Sequence, residues 1–552
     1  MLSVLFASLA LAAQVTFSSP VHYEVTLAGN FGEPRPNHFH GGIDVKTGQV
    51  EGKAILSIGD GYVSQITVGM YGFGNAVYVC HPQGYTSVYC HLKAFSPRIK
   101  AALRRHQYQS RQSKGCFRLK PYEVPVAQGD VIAQSGNTGA SQAPHLHLEL
   151  LDNRTWAKHD ALQYIPGLVK DTTPPQAHGF MATPIEGEGT FNGTAGKQVF
   201  GFPSHHLTSR FTAWGKVGFG IWANDYSEAT YNNYGIRLTR LFVDNRLVFQ
   251  SDLSVIPAGA DLQVNYWGDY QHYLRSNVWY MRSWVLPGLT LPIFKTNALR
   301  GVVDFNEERV YHLKYELSDI YGNVSTYEFS VEGKKTSIPA KSSVRPLNVV
   351  RWNRANVFQV SGVQLFLARG TLAETVELRP QVKTRHDKLS RACRFTDHSY
   401  PLIKRASVSL RLLKAVEDSS KLYVVSSWGG KSRYMGGVCH GGWVTGAVRD
   451  LGATYELAYD DKPPMVGPIG QAAWTSGQRV TISVTDRESG LSAYEGYIDG
   501  RFVVFEEVPK SAWVRCDLRD APVRKTGKEH QLRFIATDNR HNQRVYTTTF
   551  VY

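Results

Sequence analysis

A chain of 552 residues with 42% hydrophobic and 19% charged content is long enough for three or four domains, each with its own core, and is neither a disordered polyelectrolyte nor a membrane bundle. Its formal net charge of +15 favours a polyanion or anionic surface as partner. No zinc-finger, RRM or helix-turn-helix pattern accompanies that charge, so no nucleic acid partner is expected, and an anionic envelope polymer fits as well.

Residues 1–13, MLSVLFASLALAA, form a short apolar run that ends in the A-x-A pattern Ala10-Leu11-Ala12, although no Lys or Arg precedes it. It reads as a signal peptide. The run is too short to span a bilayer, and no other stretch is long and apolar enough. Export to the periplasm or cell envelope is therefore expected, with no transmembrane span.

Aromatics reach 12% and Tyr, Phe, Val and Thr recur in short runs, so the fold class is mainly β. Between 20 and 165 the expected strands are 54–58, 62–68, 76–80, 86–90, 131–134 and 145–150. The turn His81-Pro82-Gln83-Gly84 makes a hairpin of the third and fourth. One segment departs from this: Ser96 as N-cap and Pro97 at the first position predict a helix, and 98–108 carries Ile99, Ala102 and Leu103 at helical spacing. From Lys93 to Lys120 there are nine Lys or Arg and no Asp or Glu. This stretch is either a solvated helix and loop or a positive rim for an anionic substrate.

Two Pro-Pro segments, Asp171-Thr172-Thr173-Pro174-Pro175 and Asp461-Lys462-Pro463-Pro464, read as stiff linkers. The run FGIWAND at 219–225 resembles VTISVTD at 480–486, and LSDIYGN at 317–323 resembles ATDNRHN at 536–542. Strand, Asp-containing turn, strand is the pattern of small β-sandwich modules. The expected organisation is a first domain at 19–170, immunoglobulin-like β-sandwich modules at 171–333 and 456–552, and a further β-rich module at 334–455. Six cysteines, none at C-x-x-C spacing, do not make a disulfide scaffold. Cys393 and Cys439 are a candidate pair, and Cys80 and Cys90 lie on successive strands of the expected hairpin.

The chemistry concentrates in two motifs, His40-Gly41-Gly42-Ile43-Asp44 and His145-Leu146-His147. A catalytic zinc takes three protein ligands and keeps a position open. Glycines between His40 and Asp44 let both side chains turn to one ion, and alternate strand residues His145 and His147 face one side. His38, His81, His91, His106 and the His205-His206 pair compete on spacing alone, and any of these histidines can equally be an ordinary surface or core residue.

Further text in chain order decides between them. Phe31-Gly32, the His40–Asp44 block, Gly52 to Gly61-Tyr62-Val63, Gly74-Asn75, Tyr89-Cys90-His91-Leu92, Ser135-Gly136-Asn137-Thr138-Gly139 and Pro144-His145-Leu146-His147-Leu148-Glu149 together resemble the lysostaphin/LytM-type zinc metalloendopeptidases of bacterial cell walls over about 27–165. The resemblance implies a compact antiparallel β peptidase domain, duplicated-hybrid-motif-like, with Zn2+ as cofactor. It implies His40, Asp44 and His147 as metal ligands and His91 and His145 as the catalytic pair. Of that pair His145 is favoured as general base, with the other stabilising the oxyanion and Glu149 behind His147. His38 and His81 then take flanking and structural roles. The implied function is a secreted zinc-dependent endopeptidase that hydrolyses peptide cross-links of peptidoglycan. Its partners would be stem peptides and cross-links, and an envelope protein bound through the β modules. The alternative is a catalytically silent or scaffold/adhesin-type envelope protein that activates another wall hydrolase. Two departures stand out: the basic helical insert is longer than simple members need, and no upstream Tyr matches the one some members place near the site.

Overall fold

The computed structural model describes residues 15–552, so the expected leader at 1–13 lies outside the described residues. The first sheet holds the histidines. Its strands are β1 (Leu27–Gly29), β2 (Ile43–Lys46), β3 (Gly61–Met70), β4 (Gly74–Cys80), β5 (Tyr85–Cys90), β6 (Gly115–Arg118) and β7 (His145–Asp152). They lie side by side in the order β1-β2-β7-β5-β4-β3-β6, and every pair is antiparallel. A small second sheet joins Ala54–Leu56, Val131–Gln134 and Ala94–Phe95. Ile43, Val45, Ile66, Val77, Tyr89, Leu146 and Leu148 alternate into the buried core between them, as period-two patterning requires.

Gly42 makes β2 possible. A Cβ at this position would stand 2.1 Å from the Leu148 carbonyl oxygen, and one at Gly41 would stand 2.4 Å from Glu149 Oε1. The two glycines serve close approach of β2 to β7 rather than a bend of unusual dihedral, since neither has positive φ.

The predicted helix forms as α1 (Pro97–Ser110) and buries Ile99, Ala102 and Leu103. Ser96 occupies the cap position, but its side chain makes no cap hydrogen bond. Its backbone instead bonds the small sheet, the amide donating to the Ile132 carbonyl.

From 176 to 333 an eleven-stranded sheet is organised by His206–Ser227. The first part of that strand pairs in parallel with Val324–Gly333, and the remainder pairs antiparallel with Gln176–Phe191. Aromatic rings pack within this unit: Phe180 stacks on Phe329 with centroids 4.2 Å apart. Two five-stranded sheets follow between Asn356 and Tyr459. Their apolar faces continue the core of the preceding unit, with Leu286 and Leu289 in the same cluster as Leu372 and Leu402. Two four-stranded sheets between Met465 and Val551 enclose Trp474, Phe505 and Phe534. The chain is thus mainly β, a peptidase-like antiparallel domain followed by β modules.

All six cysteines are free. Cys393 and Cys439, the candidate pair, sit in different five-stranded sheets. Register separates the other two: Cys80 faces Thr86 while Tyr89 faces Val77, so Cys80 and Cys90 lie at opposite ends of the β4–β5 pair.

The basic insert is neither fully solvated nor an open rim. Arg104 pairs with Glu506 at 2.7 Å, Lys114 with Glu507 at 3.0 Å, and Lys100 with Asp520, all from the last module. Tyr108 packs edge-on against Phe502, and the buried Ser113 hydroxyl accepts from the Phe505 amide at 3.0 Å. The acidic residues that neutralise the insert are some four hundred positions downstream, so only tertiary folding reveals them. No helix among the described residues is long and apolar enough to cross a membrane.

Candidate metal centre

Antiparallel register builds the site. His147 on β7 stands opposite Asp44 on β2 and opposite Cys90 on β5. His91 follows Cys90 directly, and His145 precedes His147 by two, so four side chains from three adjacent strands meet at one end of the sheet. His40 enters from the loop before β2.

His40 Nε2, Asp44 Oδ1 and His147 Nδ1 form a triangle with edges of 3.0, 2.8 and 3.0 Å. All three residues are buried. A tetrahedral ion with bonds of about 2.0–2.2 Å sets its ligands about 3.3–3.6 Å apart, slightly wider than this triangle.

The outer hydrogen bonds determine which nitrogen of each ring faces the centre. His40 Nδ1 lies 2.5 Å from the Asn30 carbonyl, to which it donates, leaving Nε2 bare. His147 Nε2 lies 3.2 Å from Glu149 Oε1 and donates to it, leaving Nδ1 bare. Arg35 holds the other oxygen of Asp44, with its guanidinium 3.0 Å from Oδ2. Three lone pairs therefore converge with no donor among them, which is the environment of a cation or a proton. With a proton alone, burial works against charge on His147, but the bonds to Asp44 and Glu149 outweigh it and lift the ring to about 9. Asp44 is likewise held well below the usual carboxylate range: burial opposes this, and His40, His145 and His147 overcome it. Two imidazole nitrogens and one carboxylate oxygen are a suitable donor set for zinc.

His91 and His145 complete the ring of histidines, with centroids 4.7 Å apart. His91 Nδ1 is anchored on the Thr138 carbonyl at 2.9 Å, and His145 Nδ1 on the Ala143 carbonyl at 2.8 Å. The neutral rings therefore present bare Nε2 atoms, proton acceptors first and donors only once protonated. Burial, then the neighbouring His145 and His147, push His91 down to about 3. His145 Nε2 lies 3.4 Å from Asp44 Oδ1, at the more open side of the centre with its side chain 16% exposed. His91 has φ of 61°, the left-handed region that a non-glycine residue enters at a cost of about 1–3 kcal/mol.

The competing histidines are elsewhere. His38 is exposed and bonds the Pro36 carbonyl, and His81 is tied to the Asp60 carbonyl and Ser87. His106 pairs with Glu123 on α1's flank, and His205 bonds the Thr326 carbonyl. Arg35 and Asn30, which position two of the three converging side chains, carry no signal in the sequence: each acts through a contact set by the fold.

The last module reaches the edge of this site. Lys510 Nζ donates to the Gly139 and Ser141 carbonyls at 2.9 and 2.5 Å, in the loop whose Thr138 carbonyl anchors His91.

Residues 38–108 match the model of peptidase family M23, and residues 347–460 match that of a Zu5-like domain. The M23 segment carries His40, Asp44 and His91. A Haemophilus influenzae protein described as an uncharacterized metalloprotease is 29% identical over 187 residues, which are 33% of this chain and 32% of that protein. The match thus spans about a third of the relative's length. Among solved structures, the catalytic domain of lysostaphin from Staphylococcus simulans is 22% identical, covering 23% of this chain and 81% of that one at a TM-score of 0.18. A zinc-containing peptidase from Vibrio cholerae is 24% identical, covering 28% of this chain and 41% of that one at a TM-score of 0.20. The match of 38–108 to peptidase family M23 and the metalloprotease relative bear out the expected resemblance.

Proposed function

We propose that the chain is an exported zinc-dependent endopeptidase that hydrolyses peptide cross-links of peptidoglycan, with His40, Asp44 and His147 as zinc ligands. The observation that carries this reading is the convergence of three bare donor atoms, within 4.8 Å of one another, beside two further histidines anchored through Nδ1. The match of 38–108 to peptidase family M23 supports the same reaction class.

A zinc ion in this centre supplies Lewis acidity for a peptide carbonyl and lowers the pKa of water toward neutrality. The protein's own groups do the rest. Asn30 and Glu149 keep the rings of His40 and His147 in the tautomers that face the ion, and Arg35 fixes the Asp44 carboxylate. His145, the more open of the outer pair, takes the proton of the attacking water and returns it to the leaving amine. His91 stands beside it; bonded through Nδ1–H to the Thr138 carbonyl, it has no Nε2 proton to offer an oxyanion and serves as a second acceptor for the water's protons. An envelope location and a stem-peptide substrate suit the net charge of +15.

The test is digestion of purified peptidoglycan sacculi with the zinc-loaded full chain, reading released muropeptides by mass beside His147→Ala and His145→Ala. Loss of cross-linked dimers with wild type alone supports the proposal and names the bond cut. Intact cross-links with one zinc bound per folded chain overturn it in favour of a non-catalytic activator.

A further inference from the structure

Two groups of carboxylates, each with two buried members and one part-exposed (Asp171 and Asp486), lie remote from the histidines and repeat one another. Asp171 in the first linker, Asp225 near the end of His206–Ser227 and Asp319 just after Val310–Ser318 bring oxygens within 4.8 Å of one another, and so do Asp460, Asp486 and Asp538. These are the Asp positions of the repeated runs in the sequence, joined in each case by an Asp at the linker.

The surrounding hydrogen bonds correspond one by one. Asp319 Oδ1 accepts from the Tyr321 and Asn323 amides, and Oδ2 accepts from Asn323 Nδ2, which also reaches the Asp171 carbonyl at 3.2 Å. Asp538 Oδ1 accepts from the Arg540 and Asn542 amides, and Oδ2 accepts from Asn542 Nδ2, which also reaches the Asp460 carbonyl at 2.8 Å. These bonds shape the clusters and do not neutralise them. Among the described residues none of the six carboxylates has a Lys, Arg or His within ion-pair distance. Arg237, at the edge of the first group, is paired with Asp252.

Each group also leaves a buried polar atom without a partner. Asp225 is only 5% exposed, yet its Oδ1 makes no hydrogen bond. It lines a cavity of about 30 Å³ together with Asp160, Asp171, Asp319, Tyr234 and Tyr321, which is room for one ion or water. In the second group the Ser489 hydroxyl, in a residue 2% exposed, is equally unpartnered, while the Ser489 amide donates to Asp460 Oδ2. Buried polar atoms are ordinarily satisfied, so an exception beside each group needs a cause.

We propose that each cluster is a divalent-cation site that takes calcium: Asp171, Asp225 and Asp319 in one, and Asp460, Asp486 and Asp538 in the other. The donors are oxygen throughout, which selects a hard cation over zinc. Their irregular placement, from a linker and two strand ends, suits calcium's flexible coordination better than the strict octahedron of magnesium. Without an ion the charge can be relieved only by protons: burial, then Asp319 and Asp171, raise Asp225 to about 8. A bound ion ties each Pro-Pro linker to the module that follows it. In the second case that module is the one whose Lys510, Glu506 and Glu507 touch the peptidase-like domain.

The test is equilibrium dialysis of the zinc-loaded full chain against calcium, paired with thermal melting. Extracellular calcium modules bind at about 10⁻⁴–10⁻³ M, which sets the concentration range. Two calcium ions per wild-type chain are expected, one in Asp225→Asn, one in Asp486→Asn and none in the double variant, with a calcium-dependent rise in Tm that each single variant reduces. The wild-type stoichiometry decides alone if a variant fails to fold. A folded wild-type chain that binds no calcium, or a calcium count unchanged in both variants, overturns the proposal. So does an Asp225→Asn variant that melts higher than wild type without calcium while wild type is insensitive to it; the carboxyls then share protons.

Discussion

Glu149 stands directly behind His147. The two lie on the same face of β7, with Glu149 Oε1 3.2 Å from His147 Nε2, and Glu149 is only 3% exposed. Lys158, 3.9 Å away, balances its buried charge, and the three together hold the His147 ring with Nδ1 toward Asp44. Carboxylate partners of this kind raise the basicity of a metal-bound imidazole.

Replacing Glu149 with Gln keeps the shape and removes the charge. Zinc affinity is expected to fall by about 10–100-fold, with an unchanged far-UV spectrum. Competition against a chelator of known affinity measures it. Unaltered affinity would show that the bond merely fills space.

His145→Ala and His91→Ala should separate chemistry from binding. Each variant is expected to retain one zinc while turnover on cross-linked muropeptides falls by about 10²–10⁴-fold. His147→Ala should lose both. Metal analysis of the same preparations distinguishes the two classes.

The last module is held to α1 by ion pairs with partly exposed partners, each worth about 0.2–1 kcal/mol. The double change Glu506→Lys and Glu507→Lys reverses the charges that face Arg104 and Lys114. Faster amide exchange across 97–110 is expected, together with easier cleavage at 461–464. Hydrogen exchange and limited proteolysis report the two, and raised salt should mimic the variant in wild type.

Asp160 gives a pH dependence of opposite sign to the usual carboxylate. It is buried, and burial raises it to about 6, opposed by the Leu162 amide and Arg237. Between about pH 4 and 6 the folded chain holds a proton that the unfolded chain has released, so stability falls as pH rises through that window. The two-unit gap corresponds to about 3 kcal/mol. Asp160→Asn should melt higher than wild type at pH 7 and show a flatter decline between pH 4 and 6, read by thermal denaturation.

Much of the peptidase-like domain was legible in the sequence because its signals are local. The short β-rich runs at 76–80 and 86–90 and the turn between them marked β4 and β5, Ser96-Pro97 located α1, and His-x-His on one strand implied two rings on one face. The two glycines after His40 were legible only as a mark. A bend was expected, whereas the structure shows that they admit the Leu148 carbonyl. The insert was misread because charge in one segment says nothing of what faces it: Glu506, Glu507 and Asp520 come from the far end of the chain.

By itself the sequence determined the β character, the helix and the donor chemistry of the side chains that converge, since periodicity, turn residues and donor type belong to the chain. The tertiary structure alone decided which donors meet, which nitrogen each ring presents and which acids neutralise which bases. Those depend on distances across strands and between modules. Cys80 and Cys90 illustrate the difference: hairpin partners were predictable, but the register that keeps them apart is fixed by packing on both faces of the sheet.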